Sequence, residues 1–284
     1  MIGADALPLP YPFELAFMQR ALVACLAVGV FAPMIGTFLV QKRLSLIGDG
    51  IGHIAFAGVG AGLLAGVAPL WTALAFAVVG SLAIEWFRSR RGAAGDVAIA
   101  IVFYAGIALG VVLISAGDGL NASVLTYLFG QPLTVDRAEM GAIVALGVGV
   151  VAAVLVLRRA LFSVVSDEEW SRVAGLPVGG LNALLAVLVA VVVVAAMQIV
   201  GILLIAAMMV LPVAAAQQVT RSFRGTLGAA VAFGAGSAVV GLAVARVAEV
   251  AAGGTIVLVA VVAFVGCVVV ARLRRRPARE VAAV

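Results

Sequence analysis

Two residues in the segment RLSLIGDGIGHIAFAGVGAG (43–62) have the types and spacing for chemistry. Asp49 and His53 stand four residues apart, so on a helix they share one face, about 40° apart at 100° per residue. His53 is the single histidine of the chain. A carboxylate beside an imidazole suits a divalent transition metal such as Zn²⁺ or Mn²⁺. The segment is otherwise apolar, and an ionisable group inside a bilayer costs about 2.5–3.5 kcal/mol even on the lenient scale, which marks such groups as functional candidates. The plainer reading pairs Asp49 with Lys42 or Arg43 and leaves His53 bonded to a backbone carbonyl. Gly58, Gly62 and Gly66 fall on another face, at a spacing that lets helices approach closely. They read as packing, leaving the Asp49 face to present its ligands.

A second group lies in SDEEWSRVAGLPV (166–178). Ser166 and Glu169 form a capping-box pattern, with Asp167 as the alternative cap. Glu168 and Glu169 suit the positive end of a helix dipole. Gly175 is placed to stop the helix and Pro177 to prevent its continuation. The expected element is a helix over 168–174 with Trp170, Val173 and Ala174 on one apolar face and Arg172 in its last turn. So short a helix is unstable alone in water and needs a surface to dock on. That surface is a cleft on a cytoplasmic protein partner or the lipid headgroup layer.

The elements that must carry these groups are membrane helices. Of 284 residues, 65% are hydrophobic and 11% charged, and mean hydropathy is +1.28. Soluble domains are roughly half apolar and a quarter charged, so both a soluble globule and a disordered chain are excluded. Apolar runs near 16–40, 46–66, 68–87, 97–115, 138–157, 180–197, 199–219, 226–248 and 254–271 give nine candidate spans. The stretch 181–219 is too long for one crossing of a core about 30 Å thick, so it divides near 198–201. Eight spans remain if one segment is short or re-entrant. The fold class is therefore all-α: a polytopic bundle of eight to nine spans in one domain, 1–284, with a coupling segment at 166–177 and a basic tail at 272–284.

Charge placement orients the bundle. Fifteen of the eighteen basic residues follow the odd-numbered spans, and only Arg20, Arg137 and Arg246 lie at the opposite ends. By the positive-inside rule the N-terminus is outside and the C-terminus cytoplasmic, which requires an odd number of spans. The net charge of +5 thus reports orientation and does not imply a nucleic-acid partner. No positive n-region precedes Arg20, so the start of the chain does not read as a cleaved signal peptide. Lys42 is the single lysine and no glycine precedes it, so a Walker A loop is excluded and any ATPase is another chain. Cys25 and Cys267 sit in apolar runs and read as buried thiols, Met208 and Met209 as core. Trp71, Trp86 and Tyr127 read as interface anchors, and Arg246 with Glu249 as a local pair. Asp118, Asn121 and Asp136 read as an anionic or polar outer rim, and Asp96 as an N-cap or a partner of the 88–91 arginines.

Five segments in order resemble the membrane permease subunit of zinc/manganese/iron ABC importers, over roughly 17–272. They are RLSLIGDGIGH (43–53), DVAIAIVFYAGIALGVVLIS (96–115), YLFG (127–130), DEEWSRVAGLP (167–177) and VGILLIAAMMVLPVAAA (200–216). The resemblance implies a multi-pass permease of a bacterial inner or plasma membrane, working as a homodimer within membrane lipid. It also implies two cytoplasmic ATP-binding subunits and an extracytoplasmic metal-binding protein. It makes Asp49 and His53 the metal ligands. It makes Glu168, Glu169, Trp170, Arg172, Val173, Ala174 and Gly175 the segment that docks the ATPase. The chain itself would be no enzyme and would bind no cofactor beyond the transported ion. Gly52 departs from the family, which often has serine before the histidine. The competing class is a gradient-driven secondary metal-ion transporter that uses Asp49 and His53 as a proton relay.

Overall fold

The computed structural model describes residues 10–91, 95–117 and 122–275. They form eleven α-helices and one 3-10 turn. These are α1 (Ala16–Gln41), α2 (Ile47–Ala65), α3 (Pro69–Arg91), α4 (Gly95–Ala116), α5 (Ala122–Phe129), the 3-10 turn Pro132–Thr134, α6 (Arg137–Ser166), α7 (Glu168–Val173), α8 (Val178–Val200), α9 (Ile205–Val219), α10 (Phe223–Ala248) and α11 (Ala252–Arg275). Eight of them are long and apolar enough to cross a membrane. The ninth expected span is α9, whose fifteen residues rise only about 22 Å.

Contacts at the helix ends sort them onto two faces. Lys42 after α1, Arg88 near the end of α3, Glu168 of α7 and Asn182 near the start of α8 meet on one face. Phe223, which opens α10, stacks there against Phe38 and Phe162, with centroids 5.2 and 4.6 Å apart. On the other face Tyr127 of α5, Glu139 of α6 and Gln198 of α8 meet, and the N–H of Ile202 reaches the carbonyl of Tyr127 at 3.0 Å. α9 therefore runs from the Tyr127 face to the Lys42 face although it is short. The four residues between α8 and α9 help span the distance. Among the described residues nine segments thus run between the faces, eight of them long, and the start of α1 and the end of α11 lie on opposite faces.

α1, α2 and α8 are the most enclosed spans, while α6 and α11 have mostly exposed sides, as helices facing lipid do. Small residues set the spacing around α2, as its sequence suggests. A Cβ on Gly58 would lie 2.6 Å from the Ala73 backbone of α3. A Cβ on Gly106 of α4 would lie 2.7 Å from the backbone of His53, and one on Gly110 the same distance from the Phe56 ring. α2 is consequently packed on both sides, by α3 on its glycine ridge and by α4 along the Phe56 side. The face that carries Asp49 and His53 is therefore not free of neighbours: α4 packs along it beyond His53. Met208, Met209 and Cys25 are buried core residues, and Cys267 is only partly buried.

Candidate functional site

Asp49 falls in the first turn of α2, and His53 one turn further in. Both are half-buried, at the edge of the α2–α4 contact. Gly106 lets α4 approach so closely that Phe103 meets the His53 ring edge-on, with centroids 4.5 Å apart, which limits the rotation of the imidazole. Neither side chain makes a hydrogen bond or an ion pair among the described residues. The plainer reading of Asp49 fails because its expected partner is engaged elsewhere: Lys42 bonds Glu168 and Asn182. Arg43 is exposed, in a left-handed turn (φ 59°). Among the described residues no group of three His, Cys, Asp or Glu side chains converges here, so no third side chain of these types joins Asp49 and His53.

The second sequence-predicted group forms α7, with small changes at its ends. Asp167 and not Ser166 is the cap: its carboxylate accepts from the Trp170 N–H at 2.9 Å. The helix stops at Val173, and Gly175 (φ 80°) turns the chain toward Pro177. The side of α7 facing the bundle is polar. Ser171 is buried, its hydroxyl 2.8 Å from that of Ser163. The Glu168 Oε1 gathers Lys42 Nζ at 2.8 Å, Asn182 Nδ2 at 3.2 Å and Arg88 Nη1 at 3.4 Å. Arg88 is held in turn by both oxygens of Glu85, at 2.8 and 2.9 Å. The opposite side is apolar and open: Trp170 is 69% exposed, Val173 83%, and Ala174 beside them is exposed.

Burial opposes charge on both members of the Lys42 and Glu168 pair. For Glu168 the Lys42 hydrogen bond and the two neighbouring cations outweigh burial and hold its carboxyl below the usual glutamate range. For Lys42 burial wins, with help from Arg88, and the ammonium sits below the usual lysine range in spite of Glu168. Sequence reasoning placed Glu168 in the first turn of the short docking helix and Lys42 and Arg88 among orienting charges, with Lys42 also a possible partner of Asp49, and so missed the convergence of Lys42 and Glu168 across more than a hundred residues.

A third polar group was not anticipated. Gln198 is 5% exposed and donates from Nε2 to Glu139 Oε1 at 3.0 Å and to the Tyr127 hydroxyl at 3.4 Å. Tyr127 is buried, so it is no interface anchor; burial raises its phenol above the usual tyrosine range, outweighing the opposing Gln198 bond, and the Glu139 charge adds a smaller push upward. The signal available in the sequence was a lone glutamine in the otherwise apolar run around 183–205. Asp136 and Glu139 form a reciprocal capping box at the start of α6. Asp136 is thus the one member of the expected outer rim that can be placed; Asp118 and Asn121 lie outside the described residues, as does the Asp96 side chain. Arg246 and Glu249 make no ion pair; Glu249 takes a left-handed conformation (φ 55°) that ends α10.

The quoted segments YLFG and VGILLI meet in space. Gly130 (φ 73°) and Gly201 (φ 90°) lie back to back: a Cβ on Gly130 would come 2.5 Å from the Gly201 backbone, and one on Gly201 would come 2.7 Å from that of Gly130. This contact clamps α5 to the end of α8.

The sequence and fold have clear relatives. The manganese transport system membrane protein of Halalkalibacterium halodurans is 34% identical over 245 residues, covering 86% of this chain and 84% of the relative. The manganese import system permease protein ScaB of Streptococcus gordonii is 31% identical over 265 residues, 93% of this chain and 95% of the relative. Among solved structures, PsaBC from Streptococcus pneumoniae in complex with Fab superposes with a TM-score of 0.81 at 30% identity, covering 89% of this chain and 91% of that one. A family model described as the ABC 3 transport family matches residues 14–271. The chain therefore belongs to the ABC 3 transport family, as a multi-pass membrane permease that is not itself an enzyme.

Proposed function

We propose that this permease carries a divalent transition metal, with manganese favoured over zinc or iron, in an ATP-driven importer. The observation that carries the reading is the unpartnered Asp49 and His53 on one face of α2, inside an apolar bundle. Leaving a carboxylate and an imidazole there is costly unless they serve a cation. Two ligands do not complete a coordination sphere, so the rest come from water, backbone oxygens or a second copy of the chain. Metal binding needs neutral imidazole, so protonation of His53 competes with the ion. The manganese preference follows from the relatives named above. Membership among ABC permeases also disfavours the gradient-driven alternative.

The Lys42 face is the cytoplasmic one in this reading, because the arginines gather at that end. A cytoplasmic ATP-binding subunit takes Trp170, Val173 and Ala174 into a cleft, with Glu169, Arg172 and Gly175 at its edges. Glu168 then carries the motion inward. It ties α7 to the ends of α1, α3 and α8, and Lys42 precedes Asp49 by only seven residues, so a displacement of α7 pulls on the turn that leads into the metal-bearing helix. An extracytoplasmic metal-binding protein docks on the Tyr127 face, and two permeases form the pathway. The test is uptake by the reconstituted complex: Asp49→Ala and His53→Ala abolish it while assembly with the ATPase persists. Wild-type uptake in both variants overturns the reading.

A further inference from the structure

On the Lys42 face, α1, α6 and α10 enclose a cavity of about 700 Å³. Arg158 and Arg159 of α6 and Arg224 of α10 line it, and no carboxylate does. Among the described residues none of these three guanidinium groups makes an ion pair, whereas Arg88 on the same face is held by Glu85 and Glu168. The rest of the lining is largely apolar: Met34, Leu155, Leu227 and the stacked rings of Phe162 and Phe223. Leu155 also lines a second cavity, of about 410 Å³, between α1 and α6. Every side chain lining that one is apolar, and it reaches back to Val144, about 16 Å from Leu155 along the α6 axis. The two cavities together make one apolar groove that ends among three cations. The positive-inside rule explains arginines on this face but not their gathering around one apolar cavity. Three like charges around one cavity are unfavourable unless an anion sits among them.

We propose that this groove binds an anionic phospholipid of the cytoplasmic leaflet, with its phosphate among the three arginines and an acyl chain along α1 and α6. Guanidinium groups match phosphate oxygens in a paired, charge-assisted geometry. Basic pockets between membrane helices on the cytoplasmic side select anionic headgroups over zwitterionic ones. The first cavity alone has the volume of a small-molecule site. A soluble phosphate would leave the apolar part unfilled, whereas an acyl chain fills it and takes its own surface out of water. The position gives the lipid a structural consequence. Phe162 precedes Ser163, whose hydroxyl lies 2.8 Å from that of Ser171 in α7. A lipid that bridges α6 and α10 therefore braces the end of the helix on which α7 rests. The choice of leaflet rests on the cytoplasmic placement of the Lys42 face, while the binding itself is independent of the metal-import reading.

The experiment titrates the purified full-length permease in detergent with dioleoyl phosphatidylglycerol or dioleoyl phosphatidylcholine and counts retained lipid by native mass spectrometry. The wild type should retain phosphatidylglycerol and release phosphatidylcholine. Each basic side chain at an anionic headgroup strengthens binding about fivefold. The triple variant Arg158→Gln/Arg159→Gln/Arg224→Gln should therefore weaken phosphatidylglycerol binding about a hundredfold. Arg43→Gln/Arg221→Gln/Arg272→Gln removes the same charge from positions that do not line the cavity and should leave binding nearly unchanged. Ala152→Trp fills the groove from an exposed position and should weaken binding with every arginine in place. Equal retention of the two lipids by the wild type, equal weakening by the two triple variants, or no effect of Ala152→Trp overturns the proposal. It is also overturned if the first triple variant keeps its lipid but no longer captures the ATP-binding subunit, since the arginines then serve that partner. Lipid held by the single chain but expelled when two copies pair overturns it as well, since the groove then belongs to the interface between copies.

Discussion

Consider Lys42→Met and Glu168→Gln, made singly and together. At 2.8 Å the two charges attract by about 6 kcal/mol at an effective dielectric of 20. Desolvation offsets most of this, and the Glu168 side chain is 32% exposed, which weakens the pair further. A net coupling of about 1–3 kcal/mol remains. The singles are unequal in kind. Glu168→Gln leaves Lys42 only 8% exposed, with Asn182 as its remaining neutral partner, and leaves Arg88 to Glu85 alone. It should therefore cost about 2–3 kcal/mol. The double variant removes the stranded ammonium and recovers part of the loss. Equilibrium unfolding in mixed micelles measures all three, and limited proteolysis shows whether α7 has come loose. Glu168 titrates below its usual value in the fold, so its contribution is present above the ordinary glutamate pKa of about 4.3 and fades as pH falls through the lower folded value. The wild-type stability should therefore drop at acidic pH more than that of Glu168→Gln. A coupling energy within about 0.5 kcal/mol of zero would refute the reasoning.

Other consequences can be checked more briefly. Trp170→Glu should leave the permease folded, since the indole is 69% exposed, yet abolish co-purification with the ATP-binding subunit; undiminished capture would remove α7 from the interface. Gly201→Ala should destabilise by several kcal/mol, because it combines a φ of 90° with a Cβ 2.5 Å from the Leu128 carbonyl oxygen, whereas Gly179→Ala on α8 meets no atom within 4 Å and should be nearly silent in the same unfolding assay. Metal uptake should fall as the medium is acidified, because the proton and the ion compete for His53; uptake that stays constant on acidification while the complex remains assembled would contradict its role as a ligand.

Much of the fold was legible because membrane helices announce themselves by length and hydropathy. The split at 198–201 came from length alone, and α8 does end at Val200. Gly58 and Gly62 of α2 were legible as packing because small residues at helical spacing have few other uses, whereas Gly66 ends the helix in a left-handed conformation (φ 67°) with open space around it. What could not be read was which charges meet. Lys42, Arg88 and Glu168 each had a sufficient local explanation in orientation or capping, and only the bundle places them together. Gln198 failed to stand out for the opposite reason: its partners come from α5 and α6, and nothing near it in sequence points to them. Asp49 and His53 were visible because four residues on one helix need no tertiary information, but the close approach of α4 to His53 required the structure.

The most direct test of the account is ATP-dependent ⁵⁴Mn uptake into proteoliposomes holding the permease, its ATP-binding subunit and the metal-binding protein. The wild type should accumulate manganese only with ATP, and Asp49→Ala and His53→Ala should assemble with the ATPase yet accumulate none. Accumulation without ATP, or undiminished uptake by the assembled variants, would contradict it.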